Sequence, residues 1–298
     1  MRVFVTGASG WIGSAVVDEL LATGHQVTGL ARSDASAAVL EAKGAAVRRG
    51  DLDDLAALRA GAEEAEAVIH LANKHDWSDP VGTSAAERAA VQMLGDTLVG
   101  TGRPFLLASG VAGLGEGRPA TEQDASPFHG PDSPRGGSEN LALEFAARGV
   151  RAVSLRFAPT VHGIGDHGFI SIIADVARRT GVSGYPGDGT NRWAAVHRGD
   201  AARMTVLGLA EAPAGTRLHA VAEEGVPTRE IAEALGRDLG LPVAAIDPAE
   251  VAEHFGWIGR FFAADLAATS EETRKLLGWT PSGPTLLEDI EAGGYAAR

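Results

Sequence analysis

The chain opens with MRVFVTGASGWIG (residues 1–13). Residues 2–6 form a short run rich in β-branched side chains, followed at once by TGASGWIG, in which Gly7, Gly10 and Gly13 stand at three-residue intervals. The apolar period then changes to that of a helix: Ile12, Val16, Val17, Leu20 and Leu21 share one face, and Gly24 supplies a left-handed stop. A strand therefore enters a glycine turn that opens directly into a helix. Glycine suits such a turn because it is tight, because helix and strand pack closely there, and because bare backbone lets a pyrophosphate approach. The first helical turn then offers unpaired amide N–H groups and a partial positive charge to that anion.

Outward from this unit the pattern repeats. Short β-branched or apolar runs at 26–31, 46–49, 67–71, 104–109 and 152–157 read as strands, separated by helical patterns at about 35–42, 52–60, 83–99 and 139–148. Such alternation predicts an α/β fold, a Rossmann-type doubly wound parallel sheet covered on both faces. Past Pro159 the rhythm breaks into the Gly-rich loops HGIGDHGF and SGYPGDGTNRW. The pieces after Leu218 are shorter, with Thr228 and Ser270 as N-caps. The expected division is a dinucleotide-binding domain over 1–165, rejoined by 196–222, and a small C-terminal substrate lobe built from 166–195 and 223–298.

At 298 residues, with 45% hydrophobic residues, the chain can bury a sizeable core, and its formal charge of −13 opposes extended contact with nucleic acid or anionic lipid. The absence of cysteine excludes disulfides, thiolate nucleophiles and Cys-based metal sites. No segment approaches the roughly 18 apolar residues of a membrane span, and the strand begins without a leader-like stretch before it. The expectation is a cytoplasmic protein with a small-molecule substrate and neither nucleic-acid nor membrane partners. His162 with Asp166 and His167 has ligand-type side chains but no third ligand nearby in sequence, so no metal site is expected.

The end of the second strand selects the nucleotide. An acidic residue there would hold a ribose 2′-hydroxyl, whereas this chain reads GLARSD, with Arg32 and Ser33 placed to pair with a 2′-phosphate. NADP(H) is therefore expected over NAD(H), with Asp34 the residue that opposes it.

With TGxxGxxG at the N-terminus stand RGDLDD after the third strand, HLA closing the fourth, LLASG at the fifth, LRFAPTVHG after the sixth, and the later VHRGDAARM and LLGWTP. Together these resemble the extended short-chain dehydrogenase/reductase superfamily, in its epimerase/dehydratase-like branch, over essentially the whole chain. The resemblance implies cofactor contacts from the glycine loop (Thr6, Gly7, Gly10, Trp11, Ile12 and Gly13). It implies further contacts from Asp51 and Leu52 at the adenine, from Leu71, Ala72 and Asn73 along the cofactor, and from Pro159 to His162 near the nicotinamide. Ser109 falls where that family keeps its catalytic serine or threonine. A homodimer through helices 83–99 and 139–148 is also implied.

The family's Tyr-x-x-x-Lys pair is missing. The best register places Arg135 at the tyrosine and Glu139 at the lysine, and neither Tyr185 nor Tyr295 has a lysine four residues on. Arginine stays charged at working pH and cannot replace a phenol as general acid. On one helix the two would form a salt bridge at i, i+4. Facing the cleft, Arg135 would bind a carboxylate or polarise a carbonyl, and Glu139 would bond a ribose hydroxyl. For the proton donor, His75 in NKHDWSD is the leading candidate, with Asp76 beside it, while Ser109 orients the substrate oxygen. His129, His167 and Tyr185 lie in loops expected to border the pocket, and His197 is expected to pack with Asp200. The resulting expectation is an NADP(H)-dependent oxidoreductase acting on a carbonyl or imine of a small substrate. The alternatives are an NADP(H)-binding regulatory or scaffold protein without turnover, and a redox-neutral epimerase or lyase.

Overall fold

A computed structural model describes residues 1–74, 76, 78–115 and 117–296. The N-terminal half runs β1 (Arg2–Thr6), α1 (Trp11–Ala22), β2 (Gln26–Ala31), α2 (Asp34–Ala42), β3 (Ala46–Arg49), α3 (Leu55–Glu64), β4 (Ala67–His70), α4 (Pro80–Leu98), β5 (Pro104–Gly110), α5 (Ser138–Glu144) and β6 (Arg151–Phe157). After it come β7 (Thr160–His162), α6 (Phe169–Thr180), β8 (Ser183–Pro186), β9 (Arg192–His197), α7 (Arg198–Glu211) and β10 (Arg217–Ala220). The chain finishes with β11 (Glu223–Pro227), α8 (Thr228–Leu239), β12 (Val243–Ile246), α9 (Val251–Phe255), α10 (Gly259–Phe262), α11 (Glu271–Leu277) and α12 (Leu286–Glu291).

Seven strands form one parallel sheet in the order β10-β6-β5-β4-β1-β2-β3, the doubly wound arrangement expected from the alternation. Alternation of side chains along each strand divides its core in two. Val3, Val5, Ile69, Val153 and Leu155 pack with Val16 and Leu20 of α1 on one face. On the other, Phe4, Val68, Phe105 and Leu107 meet Leu58, Leu94 and Phe145.

A third core belongs to the C-terminal lobe, where Ile173, Trp193, Ile231, Leu235, Phe262 and Ile290 meet. Small sheets of order β11-β9-β7 and β12-β8 frame it. Ala268, Leu277 and Trp279, within the stretch 223–298 read as lobe, pack into the sheet's core instead. There the Trp279 indole donates to the Asp200 carbonyl (3.2 Å), so this stretch is shared between the two units.

The helix expected from residue 52 begins at Leu55, because Asp51 Oδ1 accepts from the amides of Asp53 (2.9 Å) and Asp54 (3.1 Å) and holds a turn. Of the two expected caps, Ser270 takes the N-cap position of α11, although its hydroxyl donates to the Val221 carbonyl (2.6 Å), whereas Thr228 is the first residue of α8 and donates to Asn191 Oδ1 (2.7 Å).

Candidate active site

The parallel register brings the C-terminal ends of β1 to β6 to one edge, and with them the glycine loop, Arg32, Asp51, Leu71, Ser109 and Pro159. Gly7 has φ +67°, and a Cβ there would lie 2.7 Å from the Ala72 amide nitrogen; at Gly13 it would lie 2.0 Å from the Gly7 carbonyl oxygen. Close backbone approach therefore demands glycine at both. Gly10 donates to the Gly7 carbonyl (2.9 Å) and caps α1 without a side chain, which leaves the first-turn amides facing the loop. Thr6 is fully buried and acts from beneath: its Oγ1 accepts from the Ala72 amide (3.3 Å) and lies 2.8 Å from His70 Nδ1. Trp11 donates to the Val161 carbonyl (2.7 Å), with Arg198 4.2 Å over its ring and His167 edge-on at 5.5 Å. The loop is thereby fastened to the segment after β6, while Ile12 packs into the core.

At the far end of β2, Arg32 is exposed and Ser33 caps α2, accepting from the Ser36 amide (3.1 Å). Arg49, which the sequence reading passed over, donates to the Ser33 carbonyl (2.7 Å) and pairs with Asp34 (2.5 Å). Two guanidiniums and one carboxylate thus share this corner. Asp51 is exposed beside it, and Leu52 is buried.

Below the edge lies a polar layer that the apolar sequence pattern concealed. Register aligns Ser109 with Arg156 and Arg156 with His219. Ser109 is half-buried and donates to Glu139 Oε2 (2.9 Å); Glu139 Oε1 accepts from Ser154 (3.0 Å) and from Arg156 Nε (2.7 Å). Arg156 has no exposed surface, and burial pushes its guanidinium below the ordinary value while Glu139 pulls it back up. Its Nη1 lies 3.4 Å from His219 Nε2, and His219 Nδ1 donates to the Thr269 carbonyl (2.8 Å). Burial lowers His219 as well.

The helix expected to carry both Arg135 and Glu139 does not exist as such. Arg135, Gly136 and Gly137 adopt φ of 53°, 60° and 63°, a left-handed turn that ends before α5 starts at Ser138. The two side chains consequently face different partners. Arg135 binds buried Glu87 of α4 through Nε (3.1 Å) and Nη2 (2.5 Å), and Glu87 also accepts from Asn73 Nδ2 (2.6 Å). No described residue accepts from Arg135 Nη1. His70 lies close by, fully buried and pushed down to about 3 by burial and then by the Arg135 charge.

Other expected site residues are scattered. His75 lies outside the described residues. His162 has no exposed surface, so it has no face to offer a bound molecule; its Nδ1 pairs with Asp289 (2.6 Å) and its Nε2 lies 3.7 Å from Glu223. Pro159 and Leu71 remain half-exposed at the edge. His197 Nδ1 accepts from the Gly199 amide (3.2 Å) and does not hydrogen-bond Asp200, whose carboxylate takes Arg203 and the amides of Ser282 (3.0 Å) and Gly283 (2.8 Å). Tyr185 is buried on β8 within the lobe. Glu87, Arg156 and His70 escaped the sequence reading, although each is a polar residue at a position of an otherwise buried stripe: Glu87 with Val91 and Leu94, Arg156 between Leu155 and Phe157, and His70 after Ile69.

Known proteins agree with this architecture. The chain is 43% identical over 296 residues to an uncharacterized protein of Schizosaccharomyces pombe, covering 99% of this chain and 100% of that one. It is 28% identical over 189 residues to the 4-hydroxy-2-methyl-3-oxo-4-farnesyl-3,4-dihydroquinoline-1-oxide ketoreductase of Stigmatella aurantiaca, covering 60% of this chain and 55% of that protein. The Thermus thermophilus UDP-glucose 4-epimerase, solved in complex with NAD, superposes with a TM-score of 0.74 at 24% identity over 99% of this chain and 98% of that one, a likeness of fold. Residues 3–220 match the NAD dependent epimerase/dehydratase family, and the chain belongs to that family.

Proposed function

We propose that this chain is an NADP(H)-dependent oxidoreductase that reduces a carbonyl or imine of a small organic substrate without a Tyr-x-x-x-Lys pair. The observation that carries this reading is Ser109: a half-buried hydroxyl at the same sheet edge as an intact glycine loop, held by the side chain at the lysine position. Bound at that loop, the nicotinamide cofactor would supply the hydride. Ser109 orients the substrate oxygen, and Arg135, whose Nη1 no described residue claims, offers its charge to a substrate carboxylate. Its relatives include a ketoreductase, in line with reduction, and UDP-glucose 4-epimerases, in line with the redox-neutral alternative.

The corner formed by Arg32, Ser33 and Arg49 supports NADP(H), because two guanidiniums can pair with a 2′-phosphate. Among the described residues no helix is long and apolar enough to cross a membrane. Separately, we propose a cytoplasmic location, which cell fractionation tests.

Calorimetric titration with NADPH and then NADH, followed by a carbonyl and imine panel, tests the function. NADPH is expected to bind more tightly. R32A or R49A should each weaken NADPH by roughly 10- to 100-fold, the value of one charge-assisted contact, and leave NADH unchanged. Tight binding with no turnover across the panel would point to a regulatory protein, and product formed without net change in nicotinamide absorbance to a redox-neutral enzyme.

A further inference from the structure

The lobe carries three clustered aromatic rings to which neither hydride transfer nor cofactor binding assigns a task. We infer that Phe169, Trp257 and Phe261 seat an aryl group of the substrate, so that the compound reduced is an aryl-bearing carbonyl or imine. This inference rests on the oxidoreductase reading above and names its substrate class.

The rings form a corner. Phe169 and Phe261 have centroids 6.0 Å apart and planes inclined by 31°. Trp257 stands nearly perpendicular to both, at 6.0 Å and 73° from Phe169 and at 6.3 Å and 79° from Phe261. An aryl ring laid against the first two is offset-stacked and meets Trp257 edge to face, the two arrangements that aromatic quadrupoles favour. A saturated ring of the same size gains only the burial of its area. Phe169 and Phe261 are half-buried and Trp257 is 43% exposed, so each ring keeps accessible surface.

The corner is also rigid. Trp193, with no exposed surface, packs against Phe169 at 5.9 Å and donates from its indole to the Phe261 carbonyl (3.1 Å). Phe262 meets Trp193 edge-on at 5.3 Å. Rings held in this way lose little freedom when a ligand binds.

Two connections place the corner beside the sheet edge. Phe169 opens α6 directly after the loop 163–168, where His167 sits edge-on to Trp11 of the glycine turn at 5.5 Å. Asp166 holds that loop, accepting from the Gly168 amide (2.6 Å) and the Tyr295 hydroxyl (2.8 Å). On the other side, Ala112 follows closely on Ser109 in sequence and packs against the same lobe core as Phe169 and Phe261. The aromatic corner thus continues from both the cofactor turn and the Ser109 hydroxyl, which makes a substrate ring its occupant.

The test uses the full-length wild type, W257L and F261L, with acetophenone and its ring-saturated counterpart, cyclohexyl methyl ketone, as probes. Binding is followed by tryptophan emission and by saturation-transfer NMR, with and without NADP+, which carries no hydride to transfer. Reduction of the same pair by NADPH is then measured. Acetophenone should bind wild type about 10-fold more tightly than the saturated ketone, and each leucine variant should cut that ratio by roughly 2- to 10-fold, the range of one aromatic contact. In turnover the loss should appear in KM more than in kcat. W257L, at an exposed position, keeps the test decisive should F261L fail to fold. An aryl preference in binding that W257L weakens, with neither ketone reduced, would sink the oxidoreductase reading and leave the aryl seat standing. No binding of acetophenone, equal binding of the two ketones, or a preference that W257L leaves unchanged would overturn the seat. So would tryptophan emission that follows protein concentration instead of ketone, which would give the corner to a second copy.

Discussion

His70 shows how much a single buried polar side chain can weigh. It closes β4 with no exposed surface, contacts Thr6, and is pushed down to about 3 by burial and by Arg135. Between its ordinary value of 6.5 and that depressed value the unfolded chain binds a proton that the folded chain refuses. The stability this group contributes is therefore complete above pH 6.5 and is lost as pH falls toward about 3, at about 1.4 kcal/mol per pH unit for one proton. His70→Asn should flatten the acid limb of the stability profile by that slope, measured by urea denaturation at a series of pH values. Equal slopes in wild type and variant would show that other groups set the acid limb. Nothing in AVIHLA announces this burden: the residue sits in an apolar strand run, and only its three-dimensional neighbours reveal that it is desolvated beside a cation.

At the scale of elements, the turn at 135–137 separates what sequence spacing joins. Arg135 is the one non-glycine residue with positive φ among those described, and it is followed by two glycines in the same left-handed region. For a non-glycine residue that conformation costs roughly 1–2 kcal/mol. The contacts with Glu87 and the bond from Arg88 Nη1 to the Gly136 carbonyl (2.6 Å) hold it there. Gly136→Ala would add the same backbone penalty and place a Cβ 2.7 Å from the Ser84 carbonyl oxygen. It should destabilise the chain by about 2 kcal/mol or more and weaken the Arg135–Glu87 pairing. Thermal denaturation checks the first, and a double-mutant cycle with Glu87→Gln checks the second. The strands, by contrast, fall within about a residue of where β-branched runs place them. Helix 139–148 is shortened to α5 because its last turn, 145–148, tightens into a 3-10 turn.

Across the whole molecule, the lobe is tied to the sheet domain by buried polar contacts as well as apolar packing. Asp200 at the start of α7 receives the Ser282 and Gly283 amides across the two units, while His162 of β7, in the small sheet that frames the lobe, meets Asp289 of α12 at 2.6 Å with both side chains buried. Asp289→Asn removes a charged acceptor from a buried histidine and should cost about 1–3 kcal/mol. The loss should be localised: hydrogen exchange in α12 should quicken more than in β1 or β4. Trp279→Ala should be more severe, about 3–5 kcal/mol, and global, since that side chain is 2% exposed and belongs to the sheet's core. Uniform exchange in both variants would mean that lobe and sheet unfold as one unit. We further expect α4 and α5 to pair with a second copy, which sedimentation at working concentration tests.

The linear chain by itself determined the order of strands and helices, the glycine turn and the missing Tyr–Lys pair, because period, turn chemistry and motif spacing are local properties. Only the tertiary structure decided what Arg135 and Glu139 do. Their partners Glu87 and Arg156 lie 48 and 17 residues away in sequence, and a left-handed turn sends the two side chains apart. Ion pairing depends on distance in space and on desolvation, and neither is written in the separation of residues along the chain.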